Sequence, residues 1–270
     1  MIKKASLIIV FFCSILTVNA QKGWELGIMG GAMYYFGDLN TGFDLRHPGF
    51  SGSAVARYNF NDRICAKGSI NLGSIRGDDK WSKNVYEQRR NLSFQSSIRD
   101  ASVQFEFNFL PYNHGSSTEN FTPYLMAGAS VFGYNPTTNL NGKQIELRPL
   151  GTEGQFKNAE YSTSSLALLF GGGVKLDISE KWSMNFEIAA RKVATDYIDD
   201  VSGLYPELRD VKRLRGELAS SLIDRSEEPK IGSGGRQRGN GRNNDMYVAI
   251  NIGVAYYFGG LECPRIGKRR

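Results

Sequence analysis

Cysteine and histidine are scarce: three and two in 270 residues. Cys13 sits inside an apolar run near the start, which leaves Cys65 and Cys263, too few for a disulfide framework or a four-thiolate zinc site. His47 and His114 stand far apart with no nucleophile motif beside either, so no catalytic constellation and no cofactor is expected. A barrel enzyme acting on lipid A would need a histidine and a serine near one leaflet, whereas His47 beside Pro48 reads as a turn residue. Long hydrophobic runs are missing too. After Ala20 no window approaches 18 consecutive apolar residues, so no spanning helix is expected and a barrel is the one way into a bilayer. Helical heptads are nearly absent. The formal net charge of +6 falls to about +4 without Lys3 and Lys4, too small an excess to imply a nucleic-acid partner.

What is present starts with an export signal. Lys3 and Lys4 precede an apolar run from Leu7 to Leu16, and Val18, Asn19 and Ala20 give a small-x-small ending, so residues 1–20 read as a signal peptide. Glycine (31), tyrosine (13) and phenylalanine (16) are plentiful, and apolar residues recur with period two in segments separated by turn residues. Eight such strands are expected: Trp24 to Phe36, Phe50 to Phe60, Ile64 to Ile75, Ser102 to Phe109, Pro123 to Tyr134, Ser165 to Ile178, Trp182 to Val193, and DMYVAINIGVAYYFGG from Asp245 to Gly260. The fourth is the cleanest, with Val103, Phe105, Phe107 and Phe109 against Ser102, Gln104, Glu106 and Asn108.

Connections after the second, fourth and sixth strands are short or moderate, and those after the first, third, fifth and seventh are long. This is the outer-membrane pattern of periplasmic turns and external loops, and it puts both termini in the periplasm. A secreted lipocalin-type barrel, greasy inside and joined by tight hairpins, is the rival. Alternating loops and aromatics near strand ends (Tyr34, Tyr35, Phe36, Trp182, Tyr256, Phe258) oppose it. The reading is an all-β, eight-stranded antiparallel transmembrane outer-membrane β-barrel with long external loops, spanning residues 21–260, with a periplasmic tail at 261–270.

With the greasy face in lipid, the interior receives Glu25, Arg57, Lys67, Glu106, Lys175, Glu187 and Arg191. Eight strands enclose only enough room for side chains, so these charges read as a paired plug, with a narrow ion pore as the alternative. The fourth external loop, residues 194–244, is long enough for its own structure. Pro206, Leu208, Val211, Leu214, Leu218 and Leu222 have helical spacing, and IGSGGRQRGNGRNND after them has too few apolar residues to fold and is expected to be mobile. Its arginines fit solvated positions or lipopolysaccharide phosphates. Asp196, Asp199 and Asp200, with Asp38 and Asp44, have oxygens suited to calcium but match no calcium-loop motif, and turn hydrogen bonding is the plainer reading.

Three stretches carry a family likeness: YYFGDLN at 34–40, TDYIDDVSGLYPE at 195–207, and the last strand followed by GGLECP. Together they resemble the PorG-type outer-membrane proteins of the Bacteroidetes type IX secretion system. The resemblance implies an eight-stranded barrel associated with the periplasmic ring of the lipoprotein PorK and PorN, and with other type IX components. It further implies a role in exporting proteins that bear type IX C-terminal signals, including adhesins in gliding bacteria. The tail adds its own features. Cys65, read at the periplasmic end of the third strand, and Cys263 would share an oxidising compartment, where three states stay open: an internal disulfide, a cross-link to a partner, or free thiols. Arg265, Lys268, Arg269 and Arg270 make a basic cluster suited to an acidic partner surface, to anionic outer-membrane lipid, or simply to water. The expected function is a non-enzymatic interaction subunit of the export apparatus, with an OmpA- or OmpX-like barrel whose loops mediate adhesion or defence as the alternative.

Overall fold

The computed structural model of the chain describes residues 22–261. The signal peptide and Cys263, Arg265, Lys268 and Arg269 of the tail lie outside the described residues. Nine strands form one sheet: β1 (Gly23–Phe36), β2 (Gly49–Asn59), β3 (Ile64–Asp78), β4 (Ser93–Asn108), β5 (Phe121–Leu140), β6 (Lys143–Glu146), β7 (Ser164–Asp177), β8 (Trp182–Val193) and β9 (Met246–Tyr257). The order is β4-β3-β2-β1-β9-β8-β7-β5, and β4 also pairs with β5, so eight long strands close on themselves. Every pairing is antiparallel. Closure removes both sheet edges, so no backbone row is left to be satisfied by water. β6 is a short hairpin return on an extension of β5.

Burial alternates residue by residue, and it orients the wall. On β4 every second side chain from Phe94 to Asn108 is buried, while Val103, Phe105 and Phe107 are exposed. Trp24, Leu26 and Ile28 on β1, Leu166, Leu168 and Phe170 on β7, and Ile252 and Val254 on β9 continue the exposed apolar band around the barrel. A patch that encircles a protein has no place in water, and lipid is the solvent it fits. No helix among the described residues is long and apolar enough to cross a membrane. Near the termini end, aromatic pairs make a girdle: Trp24 with Tyr58, Trp182 with Tyr256, Tyr256 with Phe258, and Phe107 with Phe109.

At the opposite end the pattern inverts. There the inward residues turn apolar, with Met33, Tyr35, Ile75, Phe94, Ile98, Phe132, Tyr134 and Tyr247 forming one cluster. Loop residues Leu39, Leu92, Leu147, Ile198, Val201 and Leu222 pack onto the same cluster. The long loops therefore close this end with a hydrophobic cap rather than standing free.

Two expectations about the fourth long loop are corrected by this packing. After α1 (Val85–Arg90) in the second long loop, the helical segment of the fourth is two helices, α2 (Leu208–Arg215) and α3 (Glu217–Ile223), separated at Gly216, whose φ of +91° suits glycine and ends α2. Val211, Ala219, Leu222 and Ile223 face inward, whereas Leu214 and Leu218 are exposed. The glycine-rich stretch is built into the cap. Its backbone pairs with residues 203–205 through Tyr205 N to Arg236 O (2.8 Å) and Arg238 N to Gly203 O (2.8 Å). Gly239 lies so close to Asp38 that a Cβ would meet the carboxylate at 2.4 Å. A shortage of apolar residues is offset there by polar contacts.

Candidate functional site

Strand alternation turns all seven predicted interior charges into the barrel lumen, each buried, and joins six of them in one network. Glu106 is the hub. Its carboxylate receives Arg57 Nε at 2.8 Å, Lys67 Nζ at 2.9 Å and Lys175 Nζ at 2.7 Å. Glu25 takes Arg57 Nη1 at 2.6 Å and the Asn59 amide at 2.6 Å. Glu187 takes Lys67 and the Tyr124 hydroxyl, and Lys175 also donates to Asn108 at 3.1 Å. Arg191 stands apart from this group and pairs with Asp100 at 3.2 Å. Asp100 is the member that sequence reading missed. It supplies a fourth acid against four bases, so the buried charges balance. Balance matters because each unpaired ion in a low-dielectric interior costs several kcal/mol.

Cys65 faces the same lumen, fully buried, with its sulfur 3.7 Å from Lys175 Nζ and 3.8 Å from the Asn108 amide. A partner outside the barrel does not meet this thiol while the barrel is closed.

The termini end is stoppered by the β4–β5 turn. His114 in that turn is buried between Glu25 (Nε2, 3.1 Å) and Asp177 (Nδ1, 3.0 Å) and stacks on Tyr257 at 4.3 Å. Tyr112 from the same turn donates to Asp177. Burial alone would lower the His114 pKa, but hydrogen bonds to Asp177 and Glu25 and the charge of both outweigh it and bring it up to about 9. A histidine whose folded value exceeds its unfolded value near 6.5 contributes stability that is complete below about pH 6.5 and lost as pH rises through about 9. The shift is worth on the order of 3 kcal/mol. We expect denaturant midpoints of the wild type to fall between pH 6.5 and 9.5, and those of His114→Gln to lose this slope.

The long-loop end carries the second polar cluster. Tyr35, at the top of β1, places its hydroxyl 2.5 Å from Asp199 and 3.1 Å from Asp245. Asp38 accepts the Asn240 N–H at 2.9 Å, and Thr152 and Tyr161 donate to Asp200 at 2.6 Å each. Buried Arg238 reaches Glu153 at 3.0 Å and Asp200 at 3.6 Å, and buried Arg90 clasps Asp79. Burial, then Asp245 and Asp38, hold the Asp199 carboxyl well above its usual range. Burial, then Asp196 and Asp38, do the same to Asp245, and burial raises Asp196 to about 7. Among the described residues no group of three or more His, Cys, Asp or Glu has the geometry to hold a metal ion. Asp44 lies apart, paired with exposed Arg46. His47 stacks on Trp81 at 3.7 Å in the same long-loop region, at the far end from His114.

A closed eight-stranded wall with a greasy outside, a charge-paired lumen and a capped end defines a transmembrane β-barrel of the outer-membrane type. Residues 3–222 match the family model described as "Domain of unknown function (DUF6089)", and the chain belongs to that family. Among solved structures it is similar to Neisserial surface protein A (11% identity, 87% of this chain and 97% of that one, TM-score 0.44). It is likewise similar to OprG of Pseudomonas aeruginosa (12%, 90% and 100%, 0.42) and to Ail, the attachment invasion locus protein of Yersinia pestis (11%, 89% and 100%, 0.41). No curated protein sequence matches the chain.

Proposed function

We propose that the protein is a non-enzymatic structural and interaction subunit of the type IX protein secretion apparatus. It sits in the outer membrane with both termini in the periplasm and associates there with the PorK and PorN ring. In gliding bacteria the same apparatus would serve motility. The observation that carries the reading is the filled lumen: among the described residues eight paired charges occupy it and a hydrophobic cap covers one end. A barrel built this way works through its surfaces. The resemblance supplies the apparatus, and two of its three segments meet in space, since Tyr35 of YYFGDLN donates to Asp199 of TDYIDDVSGLYPE. That contact supports reading both segments as parts of one folded cap.

The adhesin-like alternative draws on α2, whose Arg209, Lys212 and Arg213 are exposed beside Leu214. Such a face suits an acidic partner outside the cell. The experiment that separates the two readings is recovery of the barrel from outer membranes in mild detergent and identification of what accompanies it. Ring lipoproteins are the expected companions.

A further inference from the structure

On the outward face of β3, β4 and β5, apolar residues give way to polar ones at one register row. Below it stand Ile70 on β3, Val103 on β4 and Val131 on β5, all exposed. The row itself is Leu72, Arg99 and Gly133. Above it come Ser74, Ser97 and Asn135, then Arg76, Gln95 and Thr137. Leu72, Arg99, Ser74, Ser97, Asn135, Gln95 and Thr137 line a recess of about 540 Å³ that also takes in Phe50, Gln144 and Glu146. It runs into a second of about 340 Å³ that shares Gln95, Thr137 and Gln144 and reaches Arg76 and Trp81.

Arg99 stands out. It is exposed on the lipid-facing wall, flanked by Leu72 and Gly133, with no hydrogen bond or ion pair among the described residues. Its height decides what it meets. From Phe109 in the aromatic girdle to Arg99 is ten residues, about 34 Å along the strand and about 26 Å along the axis at a tilt of about 40°. The apolar band of such barrels is about 25 Å tall, so Arg99 lies where acyl chains end and headgroups begin. Above it, Arg76 spends its guanidinium on the carbonyl of Pro48 and has no carboxylate partner among the described residues.

We propose that this recess binds a phosphorylated glycolipid of the bilayer. Its acyl chains lie on Phe50, Leu72, Ile70 and Val103, its phosphate meets Arg99, and its sugar hydroxyls meet Gln95, Ser97, Asn135 and Gln144. A planar guanidinium pairs two of its N–H groups with phosphate oxygens, which a neutral wall cannot do. Glu146, held by the Asn135 amide at 3.1 Å, argues against a bare anion. Its carboxylate repels phosphate but accepts from hydroxyls, and a sugar phosphate satisfies both it and Arg99. The inference is independent of the secretion partners, but it rests on the lipid-facing wall and on the proposed orientation, with the long loops outside and the termini in the periplasm.

The test is native mass spectrometry of the purified full-length barrel in neutral detergent, titrated with diphosphorylated lipid A, with its dephosphorylated form, and with inorganic phosphate. The wild type is expected to bind the phosphorylated lipid at least about tenfold more tightly than Arg99→Ala does, with Arg99→Lys in between. Lys157→Ala, an exposed cation of the third long loop outside the recess, should match the wild type. Folding of each variant is checked by its heat-dependent shift on gels. Equal binding by wild type and Arg99→Ala, or equal binding of the phosphorylated and dephosphorylated lipids by the wild type, would overturn the proposal. So would full displacement by millimolar inorganic phosphate, which would assign the cation to a free anion.

Discussion

Replacing Glu106 by glutamine is expected to destabilise the barrel by about 3–5 kcal/mol, the cost of breaking a buried ion pair from one side. The residue neutralises three cations at once, Arg57, Lys67 and Lys175, each within 3 Å of its oxygens. Glutamine keeps the shape and one acceptor but removes the charge. Only Glu25 and Glu187 then remain against three buried cations that stand close together. Stabilities of folded proteins are commonly 5–15 kcal/mol, so this single change consumes a large share. Urea unfolding in micelles, followed by tryptophan fluorescence, measures it. Tyr124→Phe, which removes only a neutral donor to Glu187, should cost about 1 kcal/mol. If both variants unfold together with the wild type, the lumen is not held by charge pairing.

The second large effect is local. Arg238→Ala leaves Glu153 and Asp200 buried without their cation and removes a donor to the Asp200 carbonyl at 2.5 Å. Asp200 already sits at about 6, raised by burial against the pull of Arg238, and loss of the arginine drives it further up. The cap should open more easily by about 3 kcal/mol, roughly a hundredfold in opening equilibrium. Hydrogen exchange of residues 198–205 reads this directly, and limited proteolysis should cut near residues 236–242. The barrel itself should keep its heat-shifted band, because Arg238 touches no strand of the lumen network. Unchanged exchange in the loop would mean that the hydrophobic cluster alone holds the cap.

The barrel was legible because lipid imposes a strong contrast: Val103, Phe105 and Phe107 outside against Gln104, Glu106 and Asn108 inside can be seen in one glance at the chain. The same contrast explains the misses. Past Arg99 the wall leaves the bilayer and the amphipathic sense reverses, with Phe94 and Ile98 inside and Gln95 and Ser97 outside. A rule tuned to greasy-outside alternation therefore stops near Ser102, and Asp100 is lost with the upper half of β4. The cap failed for another reason. Arg238 meets Glu153 and Asp200, and Asn240 meets Asp38, across separations of up to 202 residues, and no local pattern announces such pairs. Gly232 and Gly239 read as flexible, yet each lets backbone approach a carboxylate, of Asp224 and Asp38 respectively.

The most direct test of the account is to isolate the full-length barrel from native outer membranes in mild detergent as wild type, as Cys263→Ser, and as a truncation after Gly260. Bound proteins are identified by mass spectrometry, and gels are run with and without reductant. The account predicts that PorK and PorN accompany the wild type and fall away on truncation, with any reductant-sensitive adduct absent from Cys263→Ser. A barrel that comes out alone in all three forms from an intact outer-membrane fraction would contradict it.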